Sequence, residues 1–378
     1  MYDLHIPANV VLEMTYACNF RCVFCSCPWE AGEHGPAYVK GTELAIDQWR
    51  EILDRLAVMG VRNVSISGGE ALLKDGVVDL LEYVRKDTDF NKDGEIVFIS
   101  NGALLDDATI DAFRRLKIHL SLSLQGLDTY DAQTGTSGIG AGNVLHWLGK
   151  AHEAGIGTTA NITLTAWNYH EAFDLMANAL IAGADTLLLN RFLPGGRGLS
   201  RRQELALTPA QLNGMLETAE KVLGMSRRKG HVGTEFPLCA VEGDGRRFKE
   251  IVFGHRCAAA KDFFVVDPAG FVRVCNHSPV KVGHALEGDV VEDVAYWRTF
   301  TDRAYIPDAC VMCRHVSFCD CGCREVASIC TGSLRALDPD ARIDGMPVDG
   351  ESPFDPLQGA FPAGAADARR PSSRRPAR

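Results

Sequence analysis

The sequence predicts an α/β protein whose first half repeats strand–helix units around a parallel sheet, followed by a smaller cysteine-rich region. Strand-like apolar runs alternate with segments of helical apolar spacing from residue 10 to residue 190. A glycine such as Gly60 follows the first helical segment, where a left-handed C-terminal residue ends a helix. The length of 378 residues suits two domains, or one barrel with an appendage.

Six strands are expected, each joined to the next by a helix. We place the strands at residues 10–14, 61–67, 95–100, 118–124, 156–164 and 185–190. The helices between them are expected at 44–58, 77–85, 107–116, 143–154 and 170–182. Right-handed crossovers of this kind place chemistry at the carboxyl ends of the strands.

Composition excludes several functional classes. A hydrophobic fraction of 46% with 23% charged residues is typical of a globular protein with a sizeable core. The net charge of −10 argues against nucleic acid or an anionic membrane as the main partner, because both attract a basic face. The sequence has neither a long apolar run nor the features of a signal peptide, so a cytoplasmic location is expected.

The chain's 13 cysteines form two groups, which indicates metal ligation at two places because cytoplasmic thiols stay reduced. In the first group, Cys18, Cys22 and Cys25 follow the first strand with the spacing C-x3-C-x2-C. Three thiolates can hold three corners of a [4Fe–4S] cube and leave one iron open. Half of a zinc site is the alternative reading.

This spacing, with Phe24 before the third cysteine, resembles the cluster site of the radical S-adenosylmethionine (SAM) enzymes. The resemblance implies a partial (βα)6 barrel in which the open iron binds the amino and carboxylate groups of SAM. Gly68-Gly69-Glu70 ends the second strand; taken alone it could be a plain turn, but here it resembles the family motif that contacts the SAM amino group.

The same resemblance extends to the later strand ends. Ser100-Asn101 ends the third strand and Ser123 the fourth, while Gln125 stands where the family often has aspartate. Arg191 and Arg197 are candidates for the SAM carboxylate or the substrate backbone. The implied SAM contacts are Phe24, Gly68, Gly69, Glu70, Ser100, Asn101, Ser123, Gln125 and Arg191.

The second cysteine group resembles the seven-cysteine pattern of the SPASM domain. Cys257 and Cys275 flank Gly270 and a hairpin expected at 263–274, and the run from Cys310 to Cys330 completes the pattern. The resemblance implies an outer auxiliary [4Fe–4S] cluster on Cys310, Cys313, Cys319 and Cys330. It implies an inner cluster on Cys257, Cys275 and Cys323, whose fourth ligand is Cys239 or an open position. Cys321 is expected to be a bystander.

These patterns divide the chain into four parts. Residues 1–200 form the radical SAM core, and residues 201–256 hold a bridging helix at 207–223 and a connector. Residues 257–335 form the SPASM domain. Residues 336–378 are expected to be a disordered tail, because alanine, proline, glycine and arginine dominate them.

The resemblance implies an enzyme that cleaves SAM reductively to a 5′-deoxyadenosyl radical and oxidatively modifies a ribosomally made precursor peptide, in a Nif11-class system. The type of modification is left undecided among crosslinking, thioether formation, epimerisation and backbone excision. The implied partners are the precursor peptide, an electron donor such as flavodoxin or ferredoxin, and a separate leader-recognition protein.

Three alternatives remain at this stage. One is a small-molecule SPASM-type dehydrogenase, and another is a sulfatase-maturing formylglycine enzyme. The latter needs an aspartate directly after the cysteine matching Cys275, where this chain has Asn276. The third, from a different class, is a zinc-stabilised binding module. Unranked candidates for the residue that handles the second hydrogen are Tyr16, Cys27, Asp128, Tyr130 and His277.

Overall fold

The computed structural model describes residues 4–86, 94–243, 247–253, 256–317 and 319–342. Eleven strands form one sheet in the order β11-β10-β9-β1-β2-β3-β4-β5-β6-β7-β8. The strands are β1 Asn9–Glu13, β2 Asn63–Ser67, β3 Ile96–Ser100, β4 His119–Ser123, β5 Thr158–Leu164, β6 Thr186–Arg191, β7 Gly230–Val232, β8 Ile251–Phe253, β9 Phe263–Val266, β10 Phe271–Arg273 and β11 Gly283–His284.

The six predicted strands are confirmed as β1 to β6, and each pairs in parallel with the next. β1 and β6 do not pair with each other, so the sheet is the predicted partial barrel and not a closed one. The helices are α1 Ile46–Val58, α2 Val77–Lys86, α3 Asp107–Arg115, α4 Tyr130–Thr134, α5 Gly140–Glu153, α6 Ala172–Ala182, α7 Arg202–Leu205, α8 Pro209–Ser226, α9 Val294–Thr301 and α10 Arg324–Thr331.

Helix α8 shows how local sequence sets an element. Thr208 accepts a hydrogen bond from the N–H of Gln211 (3.2 Å), and the Gln211 side chain accepts one from the N–H of Thr208 (2.9 Å). This reciprocal pair is a capping box, with Pro209 at the first helical position. The bridging helix predicted at 207–223 is therefore confirmed, three residues longer at its C-terminal end.

The sheet extends beyond the predicted core at both edges. β7 and β8, in the segment expected to be a connector, continue the parallel pairing from β6. The predicted hairpin is confirmed as β9 and β10, and β9 pairs in parallel with β1. The barrel and the cysteine-rich region thus share one sheet, which places the second cysteine group beside β1.

The C-terminal segment differs from the expected boundary of the tail at residue 336. Asp338 is fully buried, and Leu337 and Ala341 line a cavity with cysteines of the second group. Residues 336–342 therefore belong to the packed structure, and the remainder of the expected tail lies outside the described residues. No helix in the described ranges is long and apolar enough to cross a membrane.

Two histidines on the sheet predict a pH dependence of stability. The ring of His119 on β4 lies 2.7 Å from the Thr159 hydroxyl, and burial lowers the pKa of both His119 and His231 below the ordinary value. Both are neutral in the folded protein near pH 7, whereas the unfolded chain binds their protons below about pH 6.5. The stability that depends on these neutral histidines is fully present above about pH 6.5, the pKa of histidine in the unfolded chain. It is lost as the pH falls from there towards the lower pKa values of the folded protein.

We expect His119→Gln to reduce the loss of melting temperature between pH 7.5 and pH 5.5, measured anaerobically by thermal unfolding. His152→Gln is the matched control, because His152 is exposed on α5. An identical pH dependence in wild type and His119→Gln would show that burial of His119 does not cause the loss of stability at low pH.

Candidate functional site

The first cysteine group lies on an irregular loop that leaves the carboxyl end of β1. Backbone hydrogen bonds tie the loop to three neighbours. The N–H of Gly69 donates to the carbonyl of Thr15 (2.8 Å), and the N–H of Arg21 donates to the last carbonyl of α4 (2.9 Å). The N–H of Gly198, after β6, donates to the carbonyl of Cys25 (3.1 Å). The cysteines are therefore held at the end of the sheet where βα proteins carry out chemistry.

The thiols of Cys18, Cys22 and Cys25 converge on this loop. Burial, reinforced by the neighbouring sulfurs of Cys25 and Cys18, raises the pKa of Cys22 above its ordinary value. A hydrogen bond from Cys27 lowers the pKa of Cys25. The N–H of Phe20 points at the sulfur of Cys18 (3.4 Å). Three convergent thiols with an N–H donor fit the ligand chemistry of a [4Fe–4S] cluster with one open iron.

The Gly68-Gly69 turn after β2 packs directly under this loop. Gly68 has a φ of +138°, which disfavours any other residue. A Cβ at Gly69 would overlap the carbonyl oxygen of Ala17 and stand 2.6 Å from its carbonyl carbon. The two glycines therefore allow the turn and the cysteine loop to touch backbone to backbone, directly before Cys18.

Glu70 connects this turn to the end of β3. Its buried carboxylate accepts hydrogen bonds from the N–H of Asn101 (2.8 Å) and the hydroxyl of Ser100 (3.0 Å), and burial raises its pKa. The Asn101 amide in turn donates to the side chain of Asn19 in the cysteine loop (2.8 Å). The structure thus brings together the predicted residues Gly68, Gly69, Glu70, Ser100 and Asn101 beside the cysteines.

At the end of β4, the side chain of the predicted residue Gln125 is used to connect two strands. The Gln125 side chain accepts from the N–H of Thr163 (2.8 Å) and donates to the Asn161 carbonyl (3.3 Å), so it ties β4 to β5. Ser123 is half-buried at the end of β4, and Phe24 is half-buried in the cysteine loop. Their contacts with SAM stay predictions.

Arg191 differs from its predicted role, because its guanidinium is occupied by protein acceptors. It is buried and pairs with Asp338 (2.6 Å) and Asp340 (2.5 Å), and it also donates to the carbonyl of Glu235 (2.9 Å). Arg197 lies beside the cysteine loop instead, where it donates to the Cys22 carbonyl (3.0 Å) and pairs with Glu30 of the same loop region. Arg197 therefore positions the loop.

The five unranked candidates separate by location. His277 packs beside Gly195, and its buried Nδ1 has no hydrogen-bond partner among the described residues. Burial and two arginines lower its pKa to about 4, so its imidazole is neutral at pH 7. Cys27 contacts Cys25, and Tyr16 packs against other aromatic rings. Tyr130 is buried beside Phe20, whereas Asp128 is exposed.

The sequence did not indicate a buried ion pair between β1 and β10. Arg273 is fully buried, forms a salt bridge with Glu13, and lies over the rings of Trp29 and Tyr38 at 5.8 Å. Asn276 donates to the other oxygen of Glu13 (3.0 Å). This network joins the strand before the first cysteine group to the hairpin that carries Cys275, and the amide at position 276 cannot act as a base.

Three thiols of the second group, Cys257, Cys275 and Cys323, lie close together, as the hairpin predicted. Burial raises the pKa of each thiol, and nearby carboxylates raise it further, Glu235 for all three and Glu325 for Cys275. The sulfur of Cys323 also raises the pKa of Cys257 and Cys275. The N–H of Cys257 donates to Asp320 (2.8 Å), and the N–H of Cys323 donates to Asp338 (2.8 Å). The three thiols thus lie near one another and near Glu235, and their role as ligands of an inner cluster stays a prediction.

The remaining thiols are arranged differently from the prediction. One cavity is lined by Pro237, Leu238, Cys239, Cys310, Cys313, His315, Val316, Cys319, Cys321, Leu337 and Ala341. Cys239 therefore lies at the outer site and not at the inner one, and Cys321 faces the same cavity. Cys330, the expected outer ligand, packs with Leu193, Val326 and Cys323 of the inner site.

Neither site resembles a single-ion site. Among the residues that the structure describes, no three His, Cys, Asp or Glu side chains converge tightly enough to hold one metal ion. A cubane binds each thiolate through a different iron, so its ligands stand further apart than those around one zinc ion.

Comparisons with known proteins agree with this site. The Radical SAM superfamily matches residues 12–177. PqqA peptide cyclase of Rhodopseudomonas palustris is 27% identical over 350 residues, covering 88% of this chain and 86% of that protein. Mycofactocin maturase MftC of Mycobacterium tuberculosis is 26% identical over 367 residues, which cover 93% of this chain and 83% of that protein. The fold is similar to that of Streptococcus suis SuiB in its crystal structure bound to precursor peptide SuiA, with a TM-score of 0.67 at 18% identity. The match covers 89% of this chain and 76% of that chain.

Proposed function

Because this chain belongs to the radical SAM superfamily, in its SPASM branch, we propose that it oxidatively modifies a ribosomally made precursor peptide. One observation carries the proposal. The thiols of Cys18, Cys22 and Cys25 converge at the carboxyl end of the sheet, on a loop whose backbone packs against the Gly68-Gly69 turn. The relatives whose similarity spans most of this chain are a peptide cyclase and a maturase, which supports a peptide as the substrate.

In this proposal Cys18, Cys22 and Cys25 would hold a [4Fe–4S] cluster that would supply the electron for reductive cleavage of SAM and hence for hydrogen abstraction from the peptide. The Gly68-Gly69 turn and the buried Glu70 fix the loop that holds the thiols. Ser100 and Asn101 orient Glu70. The residues that stay proposed SAM contacts are Gly68, Gly69, Glu70, Ser100, Asn101, Phe24, Ser123 and Gln125. Arg197 keeps the loop in place through the Cys22 carbonyl.

We further propose two auxiliary [4Fe–4S] clusters. Cys257, Cys275 and Cys323 would hold the inner one, which leaves a fourth position open to substrate or to Glu235. Cys310, Cys313 and Cys319 would hold the outer one. The network of Glu13 and Arg273 would keep the inner site in a fixed position relative to the SAM site, because it joins β1 to the hairpin that carries Cys275.

The proposed partners are the precursor peptide, a small electron donor such as flavodoxin or ferredoxin, and a separate leader-recognition protein. A Nif11-class leader stays a prediction. We place the enzyme in a reducing compartment such as the cytoplasm, because its thiols must remain reduced to bind iron.

The test uses the full chain, purified and reconstituted anaerobically, with SAM and dithionite. We expect wild type to release 5′-deoxyadenosine and the Cys18→Ala/Cys22→Ala/Cys25→Ala variant to release none. A deuterated precursor peptide is expected to transfer deuterium into the 5′-deoxyadenosine. That transfer reports hydrogen abstraction whichever bond is finally formed.

The metal content separates this proposal from a binding module. We expect about twelve irons per chain in wild type and about eight in the triple variant, since each cubane holds four irons. Zinc in place of iron, with no SAM cleavage, would refute the radical chemistry.

A further inference from the structure

The cavity of the outer site contains more thiols than one cluster needs. Cys239, Cys310, Cys313, Cys319 and Cys321 all line it, although a cubane has only four corners. Its other walls are mainly apolar side chains from three parts of the chain, including Leu238, Val316 and Leu337. The identity of the fourth ligand can therefore be decided from the placement of each thiol.

Cys239 reaches this cavity from the short helix Leu238–Ala240, which follows β7. Its sulfur accepts a hydrogen bond from the N–H of Arg342 (3.1 Å). The sulfurs of Cys319 and Cys310 lie near enough to act on it electrostatically. The backbone N–H of the adjacent Leu238 points at the sulfur of Cys319.

The neighbouring sulfurs receive the same kind of contact. The N–H of His315 points at the sulfur of Cys313 (3.5 Å), and the N–H of Cys321 points at that of Cys319 (3.4 Å). Backbone N–H donors to sulfur stabilise thiolates and tune clusters. Cys239 shares this environment although it lies far outside the cysteine run from 310 to 330.

Cys330 lies elsewhere. It sits on α10, seven residues after Cys323, which is a rise of about 10 Å along the helix. It packs against Leu193, Val326 and Cys323 of the inner site, and Arg202 donates a hydrogen bond to its sulfur. Cys330 does not line the outer cavity.

Cys321 contacts two of the other sulfurs as a hydrogen-bond partner. Its thiol donates to the carbonyl of Cys319 (3.8 Å) and lies close to the sulfurs of Cys310 and Cys319. It also has a positive φ of 63°, which turns the chain between Cys319 and Cys323. A thiol in this position donates to ligand sulfurs and does not need to bind iron itself.

We propose that Cys239 is the fourth ligand of the outer auxiliary [4Fe–4S] cluster, together with Cys310, Cys313 and Cys319. Cys330 is then not a ligand, and Cys321 is a hydrogen-bond donor beside the cluster. This assignment rests on the proposed function, because it presupposes iron–sulfur clusters. It means that the connector after β7 is tied to the cysteine-rich region through iron.

The first test compares Cys239→Ala, Cys321→Ala and Cys330→Ala in the full chain after anaerobic reconstitution. We expect only Cys239→Ala to alter an auxiliary signal in electron paramagnetic resonance of the reduced protein, because its three remaining thiolates can still hold a cubane whose fourth iron has lost its thiolate. Cys321→Ala and Cys330→Ala are expected to keep about twelve irons and unaltered signals. Loss of iron in Cys330→Ala or Cys321→Ala, or an unaltered auxiliary signal in Cys239→Ala, overturns the assignment.

A second test needs no variant and therefore does not depend on folding. Wild-type holoenzyme is treated with iodoacetamide before and after iron removal by a chelator, and labelled thiols are identified by mass spectrometry. Cys239 and Cys330 are both half-buried, so they form a matched pair. We expect Cys330 to be labelled in both states and Cys239 only after iron removal; labelling of Cys239 in the holoenzyme overturns the assignment.

The outcomes also separate this assignment from the proposed function. Wild type that holds little iron and does not cleave SAM refutes the function itself. Wild type that holds iron and cleaves SAM, with Cys239 labelled in the holoenzyme, refutes only the ligand assignment.

Discussion

Gly69→Ala is expected to remove the SAM-binding cluster while leaving the auxiliary sites intact. A methyl group at position 69 has no space, because it would overlap the carbonyl of Ala17, a backbone atom that no side-chain rotation can move. The loop that carries Cys18 must then shift, and the hydrogen bond from the Glu70 N–H to Ala17 (2.8 Å) is lost. A displacement of about 1 Å at a reacting centre can cost about a hundredfold in rate.

We therefore expect at least a hundredfold loss of 5′-deoxyadenosine formation, with about four of about twelve irons missing. Gly142→Ala is the matched control, since a Cβ there meets nothing within 4 Å. Gly142 lies inside α5, where alanine is expected to stabilise by about 0.5–1 kcal/mol. A Gly69→Ala protein with full iron and wild-type SAM cleavage would contradict the packing argument.

The sequence predicted the barrel because its six strands are long enough to show apolar patterns between helices. β7 and β8 were missed, since a strand of three residues carries no readable periodicity. The site at the strand ends was also predictable: Glu70, Ser100 and Asn101 follow two neighbouring strands, and parallel pairing of β2 with β3 brings them together.

Pairings between distant residues could not be predicted in the same way. Cysteine spacing gives the order of thiols along the chain but not which of them face one cavity, so it did not indicate that Cys239 lines the outer cavity and Cys330 does not. Arg191 was treated as a possible SAM ligand because it ends β6, whereas its partner Asp338 lies 147 residues later. Nothing in the composition of residues 336–342 indicates that this aspartate is buried.

Arg191→Met is expected to destabilise the protein strongly, because it leaves the buried Asp338 and Asp340 without their cation. Removing one partner of a buried ion pair costs about 3–5 kcal/mol. Asp338 also accepts from the N–H of Cys323, so the pair connects the end of β6 to the inner cysteine site. We expect a melting temperature lower by several degrees in anaerobic thermal unfolding.

A double-mutant cycle with Asp338→Asn tests whether the two residues act as a unit. The double variant is expected to lose less stability than the sum of the single variants, with a coupling of about 0.5–3 kcal/mol. Arg114→Met is the control, because Arg114 and Asp111 form an exposed pair (3.7 Å) that contributes about 0–1 kcal/mol. If Arg191 instead bound SAM, Arg191→Met would keep the wild-type melting temperature and raise the KM for SAM. Unchanged stability with a raised KM would therefore restore the original prediction for Arg191.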